Sequence, residues 1–477
     1  MDFLNSIFDL INDLTWGFAL VPFLVVLGVF FTITSRFVQF RYFKRMFRVL
    51  GNDPDADPNQ ISAREALLVS VGGRVGGGNI AGVAVAITAG GPGAVFWMWA
   101  IALVGMCSAL VESSLAQVYK RTTPEGDYRG GPARAIMHGL GENYRWLAVV
   151  YSICLIMSFS IGFNAFQGNT VAGAVEDSLG ISRYITGAFL VVAAGFIVYG
   201  GIHRIAKAAD VIIPIMALGY LGMAAIVIVM NITELPAVLV DIFANAFGFR
   251  EAVAGGMGAA IANGLRRGLF SNEAGLGSAP NVAATAYVRH PVSQGITQSF
   301  SVFIDTIVIC SCTAFVILLG DVYVPGAENI DGVALTQQSM VSHVGSWAQY
   351  FMTAAIFLFA FSSIMYNYFL GENALTFLTD GTMAVQILRV VVMAIVFLGA
   401  TAPGATAVFN FSDPLMGILA IVNLLAITMM FPIAVRLIDD FGQQLKAGVK
   451  RPVFDPAKFP DLDTDPSAWP DAPGAPK

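Results

Sequence analysis

Ser70 to Trp99 reads "SVGGRVGGGNIAGVAVAITAGGPGAVFWMW", with nine glycines and one charge, Arg74, inside an apolar run. Glycine weakens a helix by about 1 kcal/mol per residue relative to alanine, so the cluster from Gly72 to Gly78 predicts a break. In lipid, an interrupted backbone survives only where protein buries it or where it lines a cavity. A lone glycine would serve close helix packing; Gly76, Gly77 and Gly78 in a row exceed that use. Gly76-x-Gly78-x-x-Ala81 also matches a loose dinucleotide fingerprint. That match fails on context: no βαβ unit surrounds it, and Arg74 is the only charge between Glu65 and Glu112.

The rest of the chain sets this stretch in a membrane. Of 477 residues, 56% are hydrophobic and 12% charged, where a soluble domain carries about one quarter charged. The net charge is -6 with no basic stripe, which excludes a nucleic-acid binder. Cys107, Cys154, Cys310 and Cys312 lie in apolar stretches and read as buried reduced thiols. Cys310-x-Cys312 lacks the second ligand pair of a zinc site. His138, His203, His290 and His343 are scattered, with no HExxH pattern. No cofactor is expected, and an enzyme with a metal or nucleophilic centre is disfavoured. The N-terminus carries Asp2, Asp9 and Asp13 and no basic residue before Arg36, unlike a signal peptide.

Spanning helices need about 20 mainly apolar residues. Such runs fall at 16–35, a prefix, and then at 65–89, 92–119, 147–175, 183–200, 208–231, 252–287, 296–320, 347–378, 384–402 and 415–438. After the prefix, "SRFVQFRYFKRMFRVLG" alternates basic and aromatic residues, as an amphipathic stretch on the cytoplasmic surface does. Lys120, Arg121, Arg129, Arg134, Arg145, Arg204, Lys207, Arg289, Arg436, Lys446, Lys450 and Arg451 fall in alternate loops. The positive-inside rule then places the N-terminus outside and the C-terminus in the cytoplasm. Pro452 to Lys477, with seven prolines and five aspartates, is expected to be disordered. Four segments result: 1–61, the prefix helix and amphipathic stretch; 62–231, five spans; 250–440, five more; and 441–477, a cytoplasmic tail.

A second interrupted segment opens the second set of five: "NGLRRGLFSNEAGLGSAPN", Asn263 to Asn281. Broken helices at equivalent places in two halves are the mark of an inverted repeat with a midplane binding site. Since five is odd, the halves face opposite ways. Half-helix N-termini offer N–H groups to an anion, while unwound carbonyls suit a cation or an ammonium, so a zwitterion fits both.

"RVGGGNIAGVAVAITAGGPGAVFWMW", "GDYRGGPA" (Gly126 to Ala133), "FNAFQGN" (Phe163 to Asn169) and "RGLFSNEAGLGSAPN" together resemble the alanine or glycine:cation symporter family, over about Arg64 to Arg436. The resemblance implies an all-α integral membrane protein of about 11 transmembrane helices. Its fold would be leucine-transporter-like, a 5+5 inverted repeat with one additional N-terminal helix and with core helices 1 and 6 discontinuous. It further implies sodium symport of a small neutral amino acid, alanine or glycine, in a bacterial inner membrane, by a monomer. Carried onto this chain, the substrate site is Gly77, Gly78 and Asn79 in helix 1, Gln167 in helix 3, and Phe270, Ser271 and Asn272 at the helix 6 break. The sodium site is Gly72 and Val75 with Ser362 and Ser363 of helix 8. Many members read Gly-Thr-Gly-Asn where this chain has Gly76-Gly77-Gly78-Asn79, which removes a hydroxyl and a methyl from the pocket.

Charges at membrane depth cost about 2.5 to 3.5 kcal/mol on insertion scales and are paired or functional. Arg74, Arg266 and Arg267 are expected to pair with Glu112, Glu273 and Asp305, and Glu273 or Asp305 could alternatively carry a coupling proton. A proton-coupled carrier is therefore one alternative, and a channel or sensor using the same cavity is another.

Overall fold

The computed structural model describes residues 20–51, 59–249, 256–325, 332–402 and 406–473; the first residues of the expected prefix span, 16–19, lie outside them. The prefix helix is α1 (Val21–Thr34). Residues 38–50 then form short helical turns that bury Val38, Tyr42 and Met46 and expose Arg41, Lys44 and Arg48. This is the amphipathic pattern the alternating residues specify.

The first broken span is α2 (Ala63–Arg74) and α3 (Gly78–Gly90), bent by 54°. A capping box starts α2: Ser62 accepts from the Glu65 N–H while Glu65 reaches back to Ser62. Next come α4 (Gly93–Val118), a two-stranded hairpin of β1 (Arg121–Thr122) and β2 (Tyr128–Arg129), and α5 (Pro132–Leu140). The first half continues with α6 (Glu142–Leu179), α7 (Arg183–Val198), α8 (Gly201–Met230) and the connecting α9 (Leu235–Ala246). The second broken span is α10 (Gly256–Asn272) and α11 (Ala279–Ala283). Then follow α12 (Pro291–Leu318), α13 (Gly332–Val344), α14 (Trp347–Leu378), α15 (Thr382–Thr401) and α16 (Thr406–Met429). The final helix, α17 (Phe431–Lys446), is turned 60° from the end of α16, with a proline in its first turn. Proline lacks the N–H that would continue the ladder.

Among the described residues, α4, α6, α8, α12, α14 and α15 are each long and apolar enough to cross a bilayer unbroken. In the interior, α4 packs against both α10 and α12, α6 against α14 and α15, and α2 against α8 and α14. Both breaks therefore lie between α4 and α12 on one side and α6 and α14 on the other.

The tail corrects an expectation. Its composition predicts disorder, yet residues 450–473 fold against the rest, with Phe454, Phe459 and Trp469 no more than 5% exposed. Five aspartates here act as caps and ion-pair partners rather than as solvating charge.

Candidate functional site

The first break starts where the Val75 N–H makes the last bond of α2, to the Val71 carbonyl at 2.7 Å. Val75 then turns extended, with ψ at 91°. Asn79 folds back so that its Oδ1 accepts from the Gly76 N–H at 2.9 Å. None of Gly76, Gly77 and Gly78 has a positive φ; at Gly76 and Gly77 it is close neighbours that leave no room for a side chain. A Cβ on Gly76 would stand 2.7 Å from Ser363 Oγ, and one on Gly77 2.9 Å from the Phe166 ring. Gly73 is covered so closely by the Tyr366 ring that a Cβ there would lie 2.2 Å from it.

The second break falls slightly later than expected. Phe270, Ser271 and Asn272 are still in the last turn of α10, and the turn away from the helix begins at Glu273. Glu273 is left-handed, with φ at 54°, followed by Gly275 and Gly277 at 84° and 80°. A non-glycine residue in that region is uncommon. Glu273 is held there by its N–H on the Leu269 carbonyl and its carboxylate accepting from Ser278 and Tyr366. The carbonyls of the last helical turn lack partners along the helix, so Phe270, Ser271 and Asn272 remain the acceptor end.

The expected substrate residues do converge. The Gly77 N–H points to Gln167 Oε1 at 3.4 Å. Gly78 faces the Phe270 ring and Ser271. Phe163 stacks on Phe270 at 4.9 Å, and Phe166 meets it edge-on. The Asn272 amide nitrogen is buried without a hydrogen-bond partner. In the sequence Phe163 and Phe166 are only two residues of the FNAFQGN motif, and their place as an aromatic wall appears only in three dimensions.

The sodium expectation places Ser362 and Ser363 against helix 1. Ser362 Oγ donates to the Gly72 carbonyl at 2.7 Å, and Ser363 Oγ to the Gly73 carbonyl at 2.9 Å. Both also bond back to Phe359 within α14, the ordinary use of a helical serine, but the reach across to α2 goes beyond it. Gly73 thus joins Gly72 at this seam, while no side chain bonds the Val75 carbonyl among the described residues.

The expected ion pairs are not direct. Among the described residues, Arg74 makes no salt bridge; its Nη1 donates to Ser301 and to the Gln298 carbonyl. Glu112 accepts from Asn423 at 2.9 Å and from the Gly275 N–H. Asp305 accepts from Asn79 at 2.6 Å, Ser271 at 2.9 Å and Thr306 at 2.7 Å. Neutral donors satisfy each acid, and Arg74 acts on all three through space. The Arg267 guanidinium lies 5.6 Å from the Phe270 ring centre, and Arg266 is half-buried. Cys312 is half-buried, not buried as expected; Cys310 is buried and contacts Ser271. Asn423 and Tyr366 carried no signal in the sequence beyond being polar in apolar spans.

Two interrupted helices facing each other, with N–H groups from one and carbonyls from the other, are the arrangement of a membrane transporter. Comparison with known proteins makes this specific. The chain matches the sodium:alanine symporter family over residues 1–456 and belongs to it. It is 44% identical over 460 residues to the amino-acid carrier protein AlsT of Bacillus subtilis, covering 96% of this chain and 97% of that one. It is 45% identical over 453 residues to the probable sodium/glutamine symporter GlnT of the same organism, covering 94% and 93%. The solved structure of MhsT with L-phenylalanine, 14% identical, superposes with a TM-score of 0.54 over 80% of this chain and 98% of that one. The fold is therefore the leucine-transporter-like one. The chain is a multi-pass amino-acid symporter and not an enzyme.

Proposed function

We propose that the protein imports a small neutral amino acid, alanine or glycine, coupled to sodium, by alternating access. The observation that carries this reading is the seam between α2 and α14. There two serine hydroxyls and the Gly72 and Gly73 carbonyls gather four oxygens beside the first break. Oxygen-only donors of this kind suit a hard cation. Sodium would be held by Gly72, Val75, Ser362 and Ser363, with Gly73 added. The substrate carboxylate would lie on the N–H groups of Gly77 and Gly78, near Asn79 and Gln167. Its ammonium would meet the carbonyl end of α10 at Phe270, Ser271 and Asn272.

The repeats are the two five-helix sets at 62–231 and 250–440, each opened by a broken helix. The bundle carrying both breaks rocks against the remainder. The basic loops put Lys120, Arg289 and the C-terminus in the cytoplasm and the N-terminus outside, with the protein working as a monomer. One charge crossing about 100 mV is worth about 2.3 kcal/mol, enough for about fifty-fold accumulation.

A proton-coupled carrier is the second reading, favoured by Asp305, which is fully buried and, among the described residues, makes no salt bridge. Uptake of labelled alanine and glycine into proteoliposomes, with sodium replaced by potassium, separates the two. Loss of uptake supports sodium; uptake that persists and follows a pH gradient overturns it. Absence of concentrative counterflow would mean a channel or sensor.

A further inference from the structure

Beyond the site, the tail is a folded segment without an assigned role. It contains one motif twice: Asp455-Pro-Ala-Lys-Phe-Pro-Asp461 and Asp465-Pro-Ser-Ala-Trp-Pro-Asp471. Each copy folds the same way. The leading aspartate caps a short turn, Asp455 accepting from the Ala457 N–H and Asp465 from the Ser467 N–H, both at 3.0 Å. The aromatic residue is buried, Phe459 against Phe454 and Trp469 against the same ring. The closing aspartate takes an arginine. Asp461 grips Arg436 with both oxygens, at 2.6 and 2.7 Å, and Asp471 takes Arg289 and Tyr287. The family match ends at residue 456, so both closing halves lie beyond it.

The partners sit on two different parts of the fold. Tyr287 and Arg289 directly follow α11, the lower half of the second broken helix. Between the copies, Asp463 pairs with Arg121 at 2.9 Å and His138 at 2.6 Å, on the hairpin and α5. That hairpin region is tied to α14, through Arg129 with Glu372 and Asn373 with the Gly130 carbonyl. Trp469 closes over Lys120, whose ammonium has Tyr128 on its other side and donates to the Ala286 carbonyl. Four prolines across the two copies restrict the unbound chain, so less freedom is lost on seating.

We infer that the tandem segment Asp455–Asp471 is a strap across the seam between the bundle carrying the breaks and the body containing α14, and that it must unseat for the site to open to the cytoplasm. The inference rests on the alternating-access reading above. As the lower half of the second broken helix swings away from α14, the Tyr287 and Arg289 anchor separates from the Arg121 and His138 anchor. The strap then releases one end, and its affinity for both ends biases the transporter toward the inward-closed state.

The test uses the full chain in inside-out vesicles. The reporter is Ser70→Cys, at a position wholly buried one turn before Arg74, and its alkylation rate is read from the cytoplasmic side. Tryptic cleavage after Lys458 reports whether the strap is seated. Trp469→Ala with Asp471→Asn should expose Lys458 to trypsin and raise alkylation about three- to tenfold. The milder pair Asp463→Asn with Asp471→Asn leaves the aromatic core intact, and guards against misfolding of the first variant; it should raise alkylation in the same direction. Alkylation unchanged in a variant whose Lys458 is freely cut overturns the strap's role. Neither readout requires transport, so a failed uptake assay would refute the function proposed above without touching this result.

Discussion

Gly77→Ala is the substitution whose consequence the geometry defines best. A Cβ at Gly77 would stand 2.9 and 3.1 Å from two atoms of the Phe166 ring and 3.5 Å from Gln167 Oε1. The ring must give by roughly 0.5 Å to restore ordinary contact. The atoms met are the far end of the Phe166 side chain, packed edge-on to Phe270, and overpacking of this kind costs about 1 to 3 kcal/mol in stability. The larger effect falls on the solute. The new methyl and the displaced ring narrow the space between Gly77 and Phe270, and one methylene of room in such a pocket is worth about 1 to 3 kcal/mol, or 10- to 200-fold. Glycine should therefore gain on alanine, and serine and glutamine should lose most, with Gly77→Thr giving the same order more strongly. Sodium-dependent uptake of labelled alanine, competed by each of the four amino acids, measures it. An unchanged order of preference and affinity in a stably folded Gly77→Ala would show that Gly77 does not face the solute.

Removing one hydroxyl at the α2 and α14 seam with Ser363→Ala should weaken sodium about tenfold, near 1.4 kcal/mol, and leave the substrate KM unchanged at saturating sodium. Sodium titration of uptake checks it, and an unaltered sodium dependence counts against the site. Tyr366→Phe takes one of two hydroxyl donors from buried Glu273, a cost of about 1 to 3 kcal/mol that should appear as a lower thermal midpoint. Burial pushes the Lys120 amine down to about 7, with Asp465 opposing. A group whose bound-state value is lowered binds fewer protons when seated, so strap seating should be constant below about pH 7 and strengthen as pH rises above it. Tryptic protection of Lys458 between pH 6 and 9 measures this, and protection that falls over that range contradicts it.

The two breaks and the order of spans were readable because lipid leaves the sequence few choices. An apolar run of 20 residues has to cross, and a glycine cluster within it has to be enclosed. Ser362 and Ser363, named through the family resemblance, both reach the Gly72 carbonyl. What local pattern could not show depended on partners far along the chain. The second break starts at Glu273 rather than at Phe270 because Ser278 and Tyr366 stabilise a left-handed glutamate there. Acids expected to meet arginines are instead met by Asn423, Asn79 and Ser271. The tail looked too polar to pack, yet Asp463 and Asp471 find partners in Arg121, His138, Arg289 and Tyr287, and Trp469 in Lys120, all more than a hundred residues away in sequence, and composition carries no information about that pairing.

Trp469 and Lys120 are separated by 349 residues, 469 less 120. At about 5 to 20 residues per second of synthesis, Lys120 waits on the order of 20 to 70 s before the ring that covers it has been made. The face covered by the tail is thus finished last, when all the spans have been translated, and a ribosome stalled before the tail is made would leave a chain whose spans are complete but whose Lys120 side has never been fastened.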